Sequence, residues 1–343
     1  MRVQVVIGLN AVIAAVTAET PRILTIPPPA VPLSAADVRP AARSEQAPWG
    51  LPFGPLDPVA DRTLELGLRR WVREQTGIEL GYVEQLYTFG DRNRSRPLEG
   101  GGARVISAAY LALIRETPPP HEGASWQDWY RFFPFEDWRE GPPRTIEAVI
   151  LPALDRWLGA ARDRAQWEQR RERLDICFGC RGAQWGWERV LDRYELLYEA
   201  GLVPEARRDR LRKMAPPILE LQERVNGESG EKTVFGTPMI LDHRRILATA
   251  LGRIRGKLRY RPVVFELLPP TFTLLQLQKL VEALAGLRLH KQNFRRLVEK
   301  GGLVEGTRRL HRQTGGRPAE LFRFRREVLR ERPAPGVGLP GLP

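Results

Sequence analysis

Cysteine and histidine are scarce in this chain, and long apolar runs are missing. Two cysteines in 343 residues cannot build a disulfide framework, and a reducing cytosol suits them best, so a cytoplasmic protein is expected. The four histidines lie far apart and none forms an H-x₃-H pair, which argues against a histidine-built zinc site. No stretch reaches the ~18 apolar residues that a membrane-spanning helix needs, and no membrane partner is expected. There is no P-loop motif and no G-x-S-x-G elbow. Hydrophobic residues at 42% and charged residues at 28% are globular proportions, which excludes wholesale disorder. At ~100–200 residues per domain, the length implies two domains or one with a large insertion.

What the chain has in excess is positive charge, and it is unevenly placed. The formal charge is +13. Between His243 and Arg330 stand 21 Lys+Arg and six Asp+Glu, a net of +15, against 33 and 35 elsewhere. The whole excess thus lies in one C-terminal block. Nucleic acid is the partner that fits such a footprint; a solvated basic surface or anionic lipid are the alternatives.

Val5–Val16 is apolar and could pass for a signal peptide, but only Arg2 precedes it and Asn10 interrupts it. With Arg22–Ile26 following and Ala18–Pro21 between, it reads as a β-hairpin. Pro27 to Pro58 holds nine prolines and reads as a long irregular loop. Arg62 to Thr76 repeats apolar residues at helical spacing and stops at Gly77, and strands are expected at Tyr82–Phe89 and Arg104–Ile114. Ser125–Trp138 is dense in aromatics, either a core cluster or a stacking wall for a base. Helices are expected at Ile146–Arg164, Gln166–Phe178, Glu188–Ala200 and Pro204–Lys213, and a loop at Val225–Thr237. A strong amphipathic helix runs from Asp242, placed to cap it, to Arg259. Cys177 and Cys180 have C-x-x-C spacing without a second pair, so a structural role is expected.

The basic block carries its own motif. Thr273 caps a helix through Leu284, and Ala285-Gly286-Leu287 forms a turn. A second helix runs from Leu289 to Lys300 and stops at Gly301-Gly302. At 100° per residue, Phe294, Leu297 and Val298 share one face. Gln292, Arg295, Arg296 and Glu299 fall opposite, with Asn293 and Lys300 beside them. Amide and guanidinium groups are the side chains that read purine edges in a major groove. The spacing is that of a helix-turn-helix, with the second helix as the recognition element. Arg308 to Arg325 then makes a two-stranded wing bent at Gly315-Gly316. Arg317 lies just past the bend, where it could enter a minor groove. Leu321, Phe322 and Phe324 are expected to anchor the wing.

The segment from Leu51 to Ile78 resembles the Nudix box, G-x₅-E-x₇-R-E-U-x-E-E-x-G-U. Gly77 and Ile78 fit its last two positions, which puts Arg70 on the box arginine and Glu74 on one of three helix carboxylates. Trp71 and Gln75 occupy the other two, Arg62 stands in place of the upstream glutamate, and Gly54 lies two residues early. Nudix hydrolysis needs Mg²⁺ held by that cluster. The resemblance therefore implies a degenerate site that binds a nucleoside diphosphate and cleaves it poorly or not at all.

Longer stretches add to this: GYVEQLYTFGDRNR (81–94), RVISAAYLALI (104–114), 242–278, LHKQNFRRLVEKGGLVE (289–305) and TGGRPAELFRFR (314–325). Together these resemble the bacterial Nudix-related transcriptional regulators of NAD metabolism, in their longer branch. The resemblance covers roughly 1–114 and 236–330. It implies an α+β chain: a Nudix-like α/β/α sandwich over 1–262, a helical insertion at about 140–235, a winged helix-turn-helix over 263–330, and a flexible tail at 331–343. It further implies a homodimeric repressor of NAD biosynthesis or salvage genes that needs no cofactor and no metal. The partners would be double-stranded DNA with a palindromic operator, and ADP-ribose, NAD or ATP as effector.

Candidate DNA-binding residues are Gln292, Asn293, Arg295, Arg296, Lys300 and Arg317. Candidate effector contacts are Arg70, Glu74, Tyr82, Phe89 and Trp126, with no catalytic residue assigned. The rival reading is an active Nudix diphosphohydrolase with a basic nucleic-acid-binding tail, which the missing carboxylates oppose. A third, a nucleotide-binding scaffold for a protein partner, is opposed by the helix-turn-helix spacing.

Overall fold

The structure is a computed structural model that describes residues 5–27, 48–91, 104–118, 121, 123–214, 234–311, 318–333 and 335–337. Its centre is a six-stranded sheet in the order β4-β5-β1-β2-β6, with β3 also paired to β1. The strands are β1 (Val5–Thr17), β2 (Thr20–Thr25), β3 (Phe53–Pro55), β4 (Tyr82–Phe89), β5 (Arg104–Leu113) and β6 (Ser125–Asp128). β1 pairs parallel with β5 from Val5↔Arg104 to Ala14↔Leu113. On its other edge it pairs antiparallel with β3 and then with β2. A central strand covered on both faces reads as a near-continuous apolar run, which is why Val5–Val16 mimics a signal peptide. The hairpin turn is only Ala18-Glu19, both at positive φ (48° and 62°). Two such residues give a turn twisted to match its strands.

One face of the sheet is covered by α1 (Leu64–Thr76). The Thr63 hydroxyl accepts from Leu66 N to start it, and Gly77 at φ 71° ends it. Leu68 and Val72 pack on Leu9, Ala11 and Ile13. The other face carries α6 (His243–Leu258), whose Ile246, Leu247, Ala250, Leu251 and Ile254 meet Val12, Ala14, Leu86 and Leu111. Sheet and two helix layers make the expected α/β/α sandwich. Between β6 and α6 stand α2 (Leu151–Gly159), α3 (Arg164–Phe178), α4 (Val190–Glu199) and α5 (Pro204–Met214), the helical insertion.

The basic block folds as α7 (Leu274–Ala285), α8 (Lys291–Lys300), β7 (Val304–His311), β8 (Ala319–Phe324) and α9 (Val328–Glu331). Thr273 and Gln276 form a reciprocal capping box on α7, and Gly286 closes it at φ 76°.

Several expectations need correction. The proline-rich loop is not wholly irregular: β3 lies in it, and Ile26 bridges Gly50. The helix expected at Ile146–Arg164 is a π-helical turn, Ile146–Ile150, running into α2, and it stops at Gly159. Pro152 cannot donate to the preceding turn, and Asp163 caps a separate α3. Asp242 flanks α6 without a side-chain capping hydrogen bond, its backbone (φ −110°, ψ 24°) not being the extended form a cap needs. The second helix of the basic block begins at Lys291, two residues late. The wing begins at Val304, ahead of Arg308, and its bend at Gly315-Gly316 lies outside the described residues. Most of the loop expected at Val225–Thr237 does too. The tail is not free throughout: Val337 is buried, and its N–H donates to Leu258 O at 2.9 Å, on the last turn of α6.

Candidate nucleic-acid interface and effector site

α8 is two-sided. Phe294 and Val298 are buried against the rest of the block. Gln292, Asn293, Arg295, Arg296, Glu299 and Lys300 are all exposed. The segregation follows from 3.6-residue periodicity: two apolar side chains four apart bury one stripe and leave the amides and guanidiniums in solvent. The wing rests on the same block through aromatics. Phe324 stacks on Phe265 with centroids 4.3 Å apart, and Phe272 pairs with Phe322 through backbone hydrogen bonds of 2.9 and 2.7 Å. Phe322 and Phe324 thus anchor it, whereas Leu321 does not join the core. The pairing of β7 with β8 shifts between Gly306 and Leu310, and Arg308 in that bulge has φ 59°. Both Arg308 and Arg309 are exposed. Arg317 lies outside the described residues.

The positions that align with the Nudix box are tied up in structure. Trp71 Nε1 donates to Pro55 O at 2.7 Å, and its ring lies over Gly54, where an added Cβ would meet it at 2.2 Å. Gln75 clamps the backbone of Phe53, accepting from its N–H at 3.0 Å and donating to its carbonyl at 2.7 Å. The two positions that lack carboxylates therefore pin β3 to α1. Arg70 binds Asp61 through two nitrogens, at 2.9 and 2.8 Å, and lies 3.4 Å from Glu74. The hydrogen bond to Arg70 holds the Asp61 carboxyl below the usual range, and the same pair raises Arg70. Among the described residues, no group of three or more His, Cys, Asp or Glu could hold a metal.

The five candidate effector contacts do not form one site. Arg70, Glu74 and Trp126 lie on the α1 side of the sheet. Tyr82 and Phe89 lie on the α6 side. Phe89 is buried, and the Tyr82 hydroxyl is engaged by Glu84 and Lys257. On the α1 side, Trp126 Nε1 donates to Thr117 O at 2.8 Å, and His121 Nδ1 lies 3.1 Å from Glu74 O. Sequence reasoning missed His121, which no local motif marks.

The aromatic segment resolves as core: Trp129, Tyr130, Phe132, Phe133 and Phe135 are all buried. Cys177 is buried, which pushes its thiol up to about 11, and Cys180 is half-buried. Neither suits a reactive thiolate.

Sandwich, insertion and winged helix together give this chain the architecture of the Nudix-related NAD regulators, the class its sequence resembles. The particulars agree. Residues 264–324 match the family model of the NrtR DNA-binding winged helix domain. An 86-residue stretch is 40% identical to the ADPR responsive transcriptional repressor NtrR of Acinetobacter baylyi, covering 25% of this chain. That match spans about a third (34%) of the relative's length. Over most of the chain, the fold is that of Shewanella oneidensis NrtR solved with a 27mer DNA. That structure is 18% identical, has a TM-score of 0.50 and covers 94% of each chain. A MutT/nudix family protein from Enterococcus faecalis has the same TM-score at 15% identity, over 95% of this chain and 88% of its own. No helix among the described residues is long and apolar enough to cross a membrane.

Proposed function

We propose that this protein is a homodimeric DNA-binding repressor whose Nudix-like domain binds ADP-ribose without hydrolysing it. The observation that carries the DNA half is the face of α8, where Gln292, Asn293, Arg295, Arg296 and Lys300 stand exposed above buried Phe294 and Val298. Arg and Lys recognise guanine, and Gln and Asn recognise adenine, through such edges. Arg317 would extend the contact into the minor groove. One recognition helix reads only a few base pairs, so a palindromic operator and a two-fold dimer belong together. NAD biosynthesis or salvage genes are the targets this reading favours.

The effector half is supported by the name of the Acinetobacter relative, an ADPR responsive repressor. It is also supported by the chemistry of α1. Hydrolysis of a diphosphate uses Mg²⁺ held by carboxylates, and here two of those positions are a tryptophan and a glutamine with structural hydrogen bonds. Ground-state contacts can persist where transition-state stabilisation is lost. We place the effector on the α1 side, with Trp126 for the base and Arg70, Glu74 and His121 nearby; Tyr82 and Phe89 are withdrawn.

The test incubates purified protein with ADP-ribose and Mg²⁺, measuring AMP release, thermal stabilisation and DNA affinity together. Stabilisation without turnover, with altered DNA affinity, is expected. Rapid turnover abolished by Glu74→Gln would instead make the chain a hydrolase.

A further inference from the structure

The first helix of the DNA-binding block does not end in solvent. Its last carbonyls are taken by the sensor domain. Tyr130 Oη donates to Ala283 O at 2.8 Å, Arg255 Nε donates to Leu284 O at 3.4 Å, and Trp138 N donates to Gly286 O at 2.7 Å. Gly286 is pressed so closely that an added Cβ would lie 2.5 Å from Glu136 O and 2.6 Å from Tyr130 Oη. Ala283 O and Leu284 O are among the carbonyls that a helix leaves unpaired at its C-terminus, so the sensor domain adds to the cap that Gly286 begins.

Arg255, on α6, is 1% exposed and does not act alone. Its other nitrogens donate to the Glu136 carboxylate, to Glu136 O at 2.9 Å and to Trp187 O at 3.1 Å. Glu136 is fully buried and also accepts from Arg193 Nε at 2.6 Å and Nη2 at 3.0 Å. Arg193 comes from α4 of the insertion. It is fixed by donating to Cys177 O and Gly186 O, and it lies 4.0 Å from the Trp185 ring. One carboxylate therefore stands between two buried guanidiniums, one from the insertion and one that caps α7. A ring of ion pairs surrounds this joint: Glu19 with Lys279 and Arg288, and Arg288 with Glu140 and Glu282.

We propose that the helical insertion is a positioning clamp for the DNA-binding helices, with Arg193 acting through Glu136 and Arg255 on the end of α7. Where Arg255 stands decides how the turn between α7 and α8 is held, and so the angle at which α8 is offered. With Arg193 in place, Glu136 is shared and Arg255 keeps a nitrogen on Leu284 O. Without Arg193, the Glu136 oxygen it held can turn to Arg255 as well and draw the guanidinium off Leu284 O, and the cap loosens. Buried charge triads are poor sources of net stability, so a role in fixing geometry suits this one better. The DNA readout rests on the regulator reading above; the exchange readout does not.

The experiment uses the full chain with Arg193→Met, of similar length and uncharged, and Tyr130→Phe, which removes one hydroxyl from the same joint. Amide hydrogen exchange is followed at residues 284–288. DNA affinity is measured by fluorescence anisotropy on a duplex selected from random sequence by the wild-type protein. In both variants exchange at 284–288 should rise about tenfold or more, and DNA affinity should fall within the ~5–150-fold range of coupled sites. A merely structural Arg193 would raise exchange in α3 and α4 and leave the turn and the DNA affinity unchanged, which would overturn the proposal. If Arg193→Met fails to fold, Arg193→Lys, which keeps the charge but not the two-nitrogen grip on Glu136, decides by the same two readouts. If the wild-type protein selects no duplex, the regulator reading fails, and the clamp stands or falls on exchange at 284–288.

Discussion

Restoring a box carboxylate at position 75 should weaken the protein rather than revive an enzyme. Gln75 accepts from Phe53 N and donates to Phe53 O, at 3.0 and 2.7 Å. Gln75→Glu keeps the acceptor but loses the donor, and it turns a carboxylate oxygen toward a carbonyl. A lost hydrogen bond costs ~0.5–1.5 kcal/mol, and a stranded partner adds ~1–3 kcal/mol. Because Gln75 is half-buried, water can relieve part of this, and a sum near ~2–3 kcal/mol is expected. Urea unfolding at pH 7 should show the lower midpoint with the slope unchanged. The sign with pH follows. The folded state favours the protonated form of the introduced carboxyl, since the acid can donate to Phe53 O, so its folded pKa is raised above the unfolded one. The deficit should be absent below ~4.3 and complete above the folded pKa. Equal midpoints for the variant and wild type at pH 7, or a deficit that ignores acidification, would refute the clamp between Gln75 and β3.

Arg295→Ala and Arg296→Ala should each cost ~1–3 kcal/mol of operator binding and relax specificity at one base pair, without unfolding. Competition anisotropy against base-substituted duplexes reads both effects. If the basic block neutralises six or more phosphates, affinity should drop by ~10³-fold or more between 50 and 200 mM salt; a flat salt titration would point to a protein partner. Glu136 should contribute to acid unfolding. Burial alone would push its carboxyl up, but Arg193 and Arg255 outweigh that and hold it below its ordinary value. Its folded pKa lies below the unfolded one, so its stabilisation is full above ~4.3 and is lost as pH falls through the folded value. Denaturant midpoints measured across the acid range should fall less steeply in Glu136→Gln.

Local signals carried much of the fold. Gly77 ends α1, Thr273 and Gly286 bracket α7, and apolar spacing marks the buried stripe of α8, while the start of α1 moves from the expected Arg62 to Leu64, capped by Thr63. These depend on neighbours within a turn or two, where spacing alone is informative. The proposed effector site was less legible because it depends on which way a strand faces. Strict alternation would place Tyr82 and Phe89, seven apart, on opposite faces. The register shift between Gln85 and Tyr87 brings both to the α6 side, away from Trp126. Glu136 left no sign at all. Its partners stand 57 and 119 residues away, and within its own segment it looks like one charge among aromatics.

The return of Val337 to the last turn of α6 bears on how the gene can be cut. The polypeptide leaves the Nudix-like sandwich, builds the winged-helix block and comes back to finish the sandwich helix. A fragment ending near residue 262 would carry α6 with an open end, and the excised block would carry a stray piece of its neighbour's core. Expression of either half alone therefore needs the residues around Val337 supplied or their absence repaired.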